Sequence, residues 1–216
     1  MARKRIQGPV RNKEKTKDRM LEAVGKILKN EGYTGLKVTN IAKTAEVDKK
    51  LIYDYYGSTD EVINTYIKSQ DYWDNVSENS TEIIEESIAD NGKSLLKDFL
   101  KGQLATMTTN TELQKIITWE LSEPQPILKK LAEEREEQGE MLFKNLTDPY
   151  FKENAISFRA IQALLISGIY YLSIHNSVNG SKFCGIDMNT KDGLSEIEKA
   201  AELVVQMSYE RLGEKE

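Results

Sequence analysis

Cysteine and histidine occur once each in the 216 residues, as Cys184 and His175. One of each can build neither an internal disulfide nor a Cys/His zinc cage, so the chain is expected in a reducing, cytoplasmic setting with no metal and no cofactor. Only 4 Pro and 13 Gly are present, too few for a collagenous chain or a turn-rich all-β one. Secretion is not expected, because Arg3, Lys4 and Arg5 are followed by Gly8 and Pro9 and further charge instead of an apolar stretch. The most apolar segment, Ala160 to Ile174, contains Gln162, Ser167 and Ser173 and falls short of the roughly 20 residues that span a bilayer. It reads as a buried helix, and no membrane partner is expected. Enzyme signatures are absent too: no Gly-rich phosphate loop ending in Lys-Ser/Thr, no Gly-x-Ser-x-Gly, no His-Glu-x-x-His. Adjacent acids such as Glu133 and Glu134 point to different sides of a helix and read as a solvated face, so the chain is not read as an enzyme.

What is present is charge, at 30% of residues, and 39% hydrophobic residues, the balance of a soluble globular chain. The net charge of -5 hides a division along the chain. Residues 1–56 hold 14 Lys/Arg against 7 Asp/Glu, and residues 57–216 hold 16 against 28. A basic head on an acidic body fits a nucleic-acid contact at one end, since counterion release needs only local positive charge. A basic tail that merely faces water fits the same numbers. That second option applies in particular to the arm of Arg3, Lys4, Arg5, Arg11, Lys13, Lys15 and Lys17, which could alternatively enter a minor groove.

Apolar residues recur at helical spacing almost throughout. Met20, Leu21, Val24, Ile27 and Leu28 predict a helix from about Asn12 to Asn30, closed by Gly32. Two short segments follow, Lys37 to Thr44 and Asp48 to Tyr55, which must share a core because neither is stable alone. Ser58-Thr-Asp-Glu61 is a capping box that starts a fourth helix, and Thr109-Asn-Thr-Glu112 is a second. Asn91-Gly92 predicts a turn, and Pro124 is the residue expected to open a helix that ends near Leu146. Helices from about Asn154 to Asn176 and from about Leu194 to Arg211 complete an all-α chain, with a loop from Val178 to Gly193 between them.

The run Leu36-Lys-Val-Thr-Asn-Ile-Ala-Lys-Thr-Ala-Glu-Val-Asp-Lys-Lys-Leu-Ile-Tyr-Asp-Tyr-Tyr56 resembles the helix-turn-helix of the tetracycline-repressor (TetR) family of transcription regulators. Shared features are the Ile41-Ala42 pair, the Ala45-x-Val47 turn, Ile52-Tyr53, the aromatic Tyr56, the Ser58 start of a fourth helix, and Gly32-Tyr33 upstream. The resemblance covers residues 12–67 and implies a DNA-binding domain over residues 1–57 and a helical ligand-binding and dimerisation domain over residues 58–216. By position it implies that the third helix lies in the major groove, where a helix can read base edges from its first residues. Thr39 then matches a DNA-contacting position, and Lys49, Lys50 and Leu51 fall at the start of the reader. Tyr53 and Tyr55 stand where the family has phosphate-binding Tyr and His, and Thr59 opens the fourth helix. Three departures stand out: Glu46 replaces the usual turn Gly, Lys50 another frequent Gly, and Thr59 a frequent Lys.

No motif extends the match into residues 68–216. The resemblance implies a homodimer through the last two long helices, and a pocket for an unidentified small-molecule effector whose entry releases operator DNA. Trp73, Phe99, Met107, Trp119, Phe143, Tyr170, Tyr171 and His175 are the aromatic, Met and His residues that could line such a pocket. The same residues also make ordinary core, and His175 suits a dimer seam equally. An alternative is a regulator without an effector, controlled by a protein partner; a third is a helical enzyme or interaction module whose basic head is incidental.

Overall fold

The computed structural model describes residues 10–70, 80–180 and 182–213. Its helices are α1 (Val10–Glu31), α2 (Val38–Ala45), α3 (Lys49–Tyr56), α4 (Thr59–Ser69), α5 (Ser80–Ser87), α6 (Lys93–Thr109), α7 (Thr111–Ser122), α8 (Pro126–Leu142), α9 (Asp148–Phe151), α10 (Ala155–Asn179) and α11 (Lys191–Leu212). Among the described residues there is no strand beyond a single bridge between Phe183 and Ile186, so the chain is all-α, as expected. It divides into two compact units, residues 1–70 and 71–216. The fourth helix, placed in the second domain by a boundary at residue 57, thus packs within the first unit, where it contacts α1 and α3.

In the first unit, α1 buries Met20, Val24, Ile27 and Leu28 against Ile41, Ala42 and Ala45 of α2, Ile52 of α3 and Val62, Ile63, Tyr66 and Ile67 of α4. These apolar residues come from four elements, each too short or too polar to be stable alone, so the core is what makes them helices. Ser58 accepts the Glu61 amide at 3.0 Å and starts α4 where the capping box placed it. Gly25 of α1 faces Tyr66 of α4: a Cβ there would lie 2.5 Å from the Tyr66 hydroxyl and 2.8 Å from its ring. Alanine would gain about 1 kcal/mol of helix propensity but overpack by about 1–3 kcal/mol against a buried ring. Gly25→Ala is therefore expected to lower stability by about 1 kcal/mol in chemical denaturation, and a gain would show that Tyr66 is free to swing aside.

The second unit is built on α6, which packs on both α10 and α11. Phe151 and Phe158 stack with ring centroids 3.9 Å apart, and Tyr209 meets them edge-on at 4.9 and 5.6 Å. The Tyr209 hydroxyl donates to the Asn91 carbonyl at 2.7 Å, which ties the C-terminal helix to the turn ahead of α6. Burial, then the nearby charge of Asp90, pushes the pKa of that hydroxyl far up. The Asn91-Gly92 turn forms as expected, with both residues in the left-handed region at φ 55 and 79.

Three boundaries differ from the sequence reading. Asn110, not Thr109, caps α7, its side chain accepting the Leu113 amide at 2.9 Å, because the Thr109 hydroxyl donates back to Ala105 and stays in α6. Pro126 rather than Pro124 opens α8, with Gln125 as the extended residue before it. The loop ahead of α11 is shorter than expected, since Thr190 caps that helix by accepting the Gly193 amide at 3.0 Å.

The reading of Ala160 to Ile174 as a buried helix needs correction. Ile156, Leu164, Tyr171 and Val178 of α10 are all exposed, Leu164 at 73%. The helical stretch from Pro126 to Asn179 contains an 18-residue window apolar enough to cross a bilayer by length and composition, with mean hydropathy 1.4. Yet the exposed apolar residues recur at intervals of eight, seven and seven, which confines them to one stripe of the helix, while Phe158, Gln162, Ile169 and Ser173 form a buried one.

Candidate nucleic-acid interface

The geometry of α2, the turn and α3 follows from backbone chemistry at two residues. Glu46 ends α2 in the left-handed region, φ 55 and ψ 48. Its amide donates to the Lys43 carbonyl at 3.2 Å, and the Val47 amide reaches back to Ala42 at 3.0 Å. Those two bonds are a Schellman motif, in which the left-handed residue is usually glycine. The position keeps its positive φ although it has gained a side chain, at a cost of about 1 kcal/mol. Glu46→Gly is accordingly expected to raise stability by about 1 kcal/mol in denaturant titration, and to remove an exposed anion from this surface; lower stability would contradict the assigned strain.

Asp48 then starts α3. It is extended, φ -70 and ψ 138, and its carboxylate accepts the Lys50 amide at 2.8 Å. Lys49 and Lys50 follow in the first helical turn, exposed, with no acidic residue in that turn. Two cations at the positive end of the helix dipole are unfavourable for the helix itself, and an anion docked there would relieve them. Leu51 is half-buried, Ile52 is buried beneath it, and Tyr53 projects with 49% of its surface exposed.

The remaining residues flank this terminus. Thr39 is exposed at the second position of α2, and Thr59, half-buried, is the first residue of α4. Tyr55 is half-buried with the Lys13 ammonium 5.2 Å from its ring centre, which places a cation of α1 on the same side as the end of α3. Tyr56 turns inward, its hydroxyl donating to the Lys17 carbonyl at 3.4 Å. Burial, then Asp18 and Glu14, raises its pKa. Tyr56 therefore acts as a strut between α3 and α1, whereas Tyr53 is exposed and Tyr55 half-buried. Asp54 and Glu46 are exposed acids on the same short segment. The arm residues Arg3, Lys4 and Arg5 lie outside the described residues.

In the second unit the described residues among those expected to line a pocket occupy several places. Phe99 and Met107 of α6 are buried in the main core, with Tyr170 packed against it. Trp119 is buried in α7, and Phe143 is half-buried with the Arg159 guanidinium 5.1 Å from its ring centre. Tyr171 and His175 instead stack on each other at 5.7 Å and meet Phe183 edge-on, and Tyr171 and Phe183 line a groove of about 320 Å³ together with Gly168, Leu172, Cys184 and Ile197. Trp73 lies outside the described residues. Sequence reasoning gave no role to the buried polar residues Gln162 and Ser173, which it placed in a buried helix, and passed over Gln103. The available signal was Gln103 at core spacing between Leu100 and Leu104, a polar residue where the helical period asks for an apolar one.

No family sequence model matches the chain, and no curated protein sequence does. Solved structures do. A candidate fatty acid metabolism regulator from Clostridium perfringens is similar at 19% identity over 87% of this chain and 96% of its own, with a TM-score of 0.60. A transcriptional regulator of the "TerR/AcrR family" from Aquifex aeolicus VF5 is similar at 17% identity over 89% and 98%, TM-score 0.56. The transcriptional regulator FadR from Bacillus subtilis, in complex with stearoyl-CoA, is similar at 16% identity over 87% and 96%, TM-score 0.56. At these identities the likeness establishes the fold: an all-helical chain with an N-terminal helix-turn-helix, shared with transcription regulators of the TetR/AcrR type.

Proposed function

We propose that this chain is a TetR/AcrR-type DNA-binding regulator that acts as a homodimer, represses by occupying an operator, and is released by a small molecule bound in its second unit. One observation carries the DNA reading: α3 begins with two exposed lysines on a helix terminus that is destabilised by them and capped by Asp48. In that arrangement Lys49 and Lys50 pair with phosphate or with guanine O6/N7, and Leu51 meets a thymine methyl. Thr39, Tyr53, Tyr55 and Thr59 hold the backbone on either side.

The dimer reading rests on the exposed stripe of α10 together with Leu203 and Met207 of α11, four residues apart on one face. Apolar residues at seven- or eight-residue spacing along a single stripe suit a partner helix, whereas a lipid-facing helix would be apolar around its circumference. A two-fold dimer also supplies the second reader helix that an operator with half-sites about 34–36 Å apart demands.

Release follows from population shift: a ligand that binds better to a conformer with wrongly spaced readers draws the dimer off DNA by that affinity difference. A ligand-bound neighbour of the same fold supports an effector as the signal. The test is fluorescence anisotropy of the full chain on duplex DNA from immediately upstream of its gene, against scrambled DNA, at several salt concentrations. Tighter and salt-dependent binding to the upstream duplex, with two protomers per duplex, is the expected result. Absence of salt-dependent binding to either duplex would overturn the reading.

A further inference from the structure

The core of the second unit contains polar groups that its own packing leaves without partners. Among the described residues, the most buried charged side chain of this unit, Arg135 at 10% exposure, is paired with Glu120 at 2.9 Å, and the fully buried polar residues are all neutral. Three of them are satisfied: the Gln114 amide donates to Met107 at 2.6 Å, the Thr147 hydroxyl to Phe143 at 3.4 Å, and the Ser208 hydroxyl to Val204 at 2.7 Å. The other three are not. Gln162, 1% exposed, has neither its amide oxygen nor its nitrogen paired, Ser173, 1% exposed, has a lone hydroxyl, and Gln103, 2% exposed, has a lone carbonyl oxygen.

All three lie on α6 and α10; two partly buried residues, Gln138 of α8 and Asn176 of α10, also have an unpaired side-chain oxygen. Gln162 and Ser173 lie on the buried stripe of α10, eleven residues apart, which is about 16 Å along the axis. Gln103 stands on α6, which packs against α10, and its amide nitrogen donates to the Tyr170 hydroxyl at 2.9 Å, three residues from Ser173. The lone hydroxyl is also not a habit of this helix. Ser167 and Ser177, both exposed, donate to the carbonyls three residues back, at 3.1 and 3.0 Å, while buried Ser173 donates to none. Desolvating amides and a hydroxyl with nothing to bond is among the most expensive choices a core can make, and an apolar residue of similar size would fill each position. Met107, fully buried on the same helix as Gln103, has the flexible side chain that yields to a guest.

We propose that the seam between α6 and α10 is the effector site and that it takes an uncharged, elongated molecule, apolar along its length and carrying an amide, hydroxyl or carbonyl group that pairs with Gln103, Gln162 or Ser173. This rests on the reading of the chain as a ligand-released regulator. The absence of an unpaired buried countercharge among the described residues sets the class: a carboxylate or ammonium carried between Gln103, Gln162 and Ser173 meets neutral dipoles, whereas an amide or alcohol completes bonds that are already desolvated.

The experiment is isothermal calorimetry of the full chain with four probes of one chain length, decanamide, 1-decanol, decanoate and decylammonium, with stearoyl-CoA as a fifth. Decanamide is expected to bind at least 10-fold tighter than either charged C10 probe. Gln162→Leu is expected to weaken decanamide at least 5-fold while raising the melting temperature of the free protein, because it replaces an unpaired amide with packing. Equal or tighter binding of decanoate or stearoyl-CoA, no binding of decanamide, or a Gln162→Leu protein with unchanged decanamide affinity would each overturn the proposal. DNA binding on the same preparations separates the two levels. Salt-dependent, sequence-selective DNA binding without the preference for decanamide defeats the seam and leaves the regulator reading standing; the preference without DNA binding does the reverse.

Discussion

Replacing both lysines at the start of α3, Lys49→Glu with Lys50→Glu, is expected to lower operator affinity at least 100-fold while leaving the protein as stable as before or slightly more so. The first half follows from contact energies. A good side-chain pairing to a base edge is worth about 1–3 kcal/mol, so losing two costs about 2 kcal/mol or more, and two new anions facing phosphate add repulsion. The second half follows from the helix itself. Both residues are exposed in a first turn with no acid, where a carboxylate gains about 0.3–1 kcal/mol from the helix dipole that an ammonium forfeits. Anisotropy titration and thermal melting of the same variant therefore move in opposite directions or one moves alone. Lost affinity accompanied by lost stability would mean that the lysines serve the fold and that the reader has been misassigned.

The second large effect concerns assembly. Leu164→Glu with Leu203→Glu is expected to turn a dimer into a monomer by sedimentation velocity, and to abolish tight operator binding because one half-site alone supplies half the contacts. Both side chains are mostly exposed in the single chain, Leu164 at 73% and Leu203 at 58%, so charging them costs the protomer little. In a dimer seam the same two carboxylates would be desolvated without partners, a cost of several kcal/mol per interface. A wild-type chain that sediments as a monomer would contradict the assignment of this stripe to a second copy. Persistence of the dimer in the double variant would move the seam elsewhere on the second unit.

Much of the architecture was legible because it is written in short-range chemistry. Helical period located α1, α2, α3, α10 and α11 to within a few residues but not the short α5 and α9, and the Ser58 box and the Asn91-Gly92 turn fixed a start and a break where the structure has them. The demand for a positive φ at the end of α2 was legible from the family's glycine, and Glu46 meets it at φ 55 in spite of its side chain. What was not legible depends on which groups compete for one partner. Thr109 and Asn110 both offer an oxygen to the next helix, and only the bond from Thr109 back to Ala105 decides between them. Apolar spacing in α10 shows that the helix has faces to cover but not whether the cover belongs to the same chain, so a helix read as buried exposes Leu164 and Val178. Likewise the aromatic, Met and His residues expected to line a pocket fall partly in the core (Phe99, Met107) and partly in a stacked pair outside it (Tyr171, His175), since composition does not distinguish the two sides of a helix.

The central claim is that this helix-turn-helix reads DNA sequence as a symmetric pair. Its most direct test is selection of the full-length chain against a library of random-sequence duplexes, followed by sequencing of what it retains. An inverted repeat with half-sites one helical turn apart, about 10 bp centre to centre, is the predicted outcome, with enrichment lost in the Lys49→Glu, Lys50→Glu protein. A retained pool indistinguishable from the input at every salt concentration would contradict it.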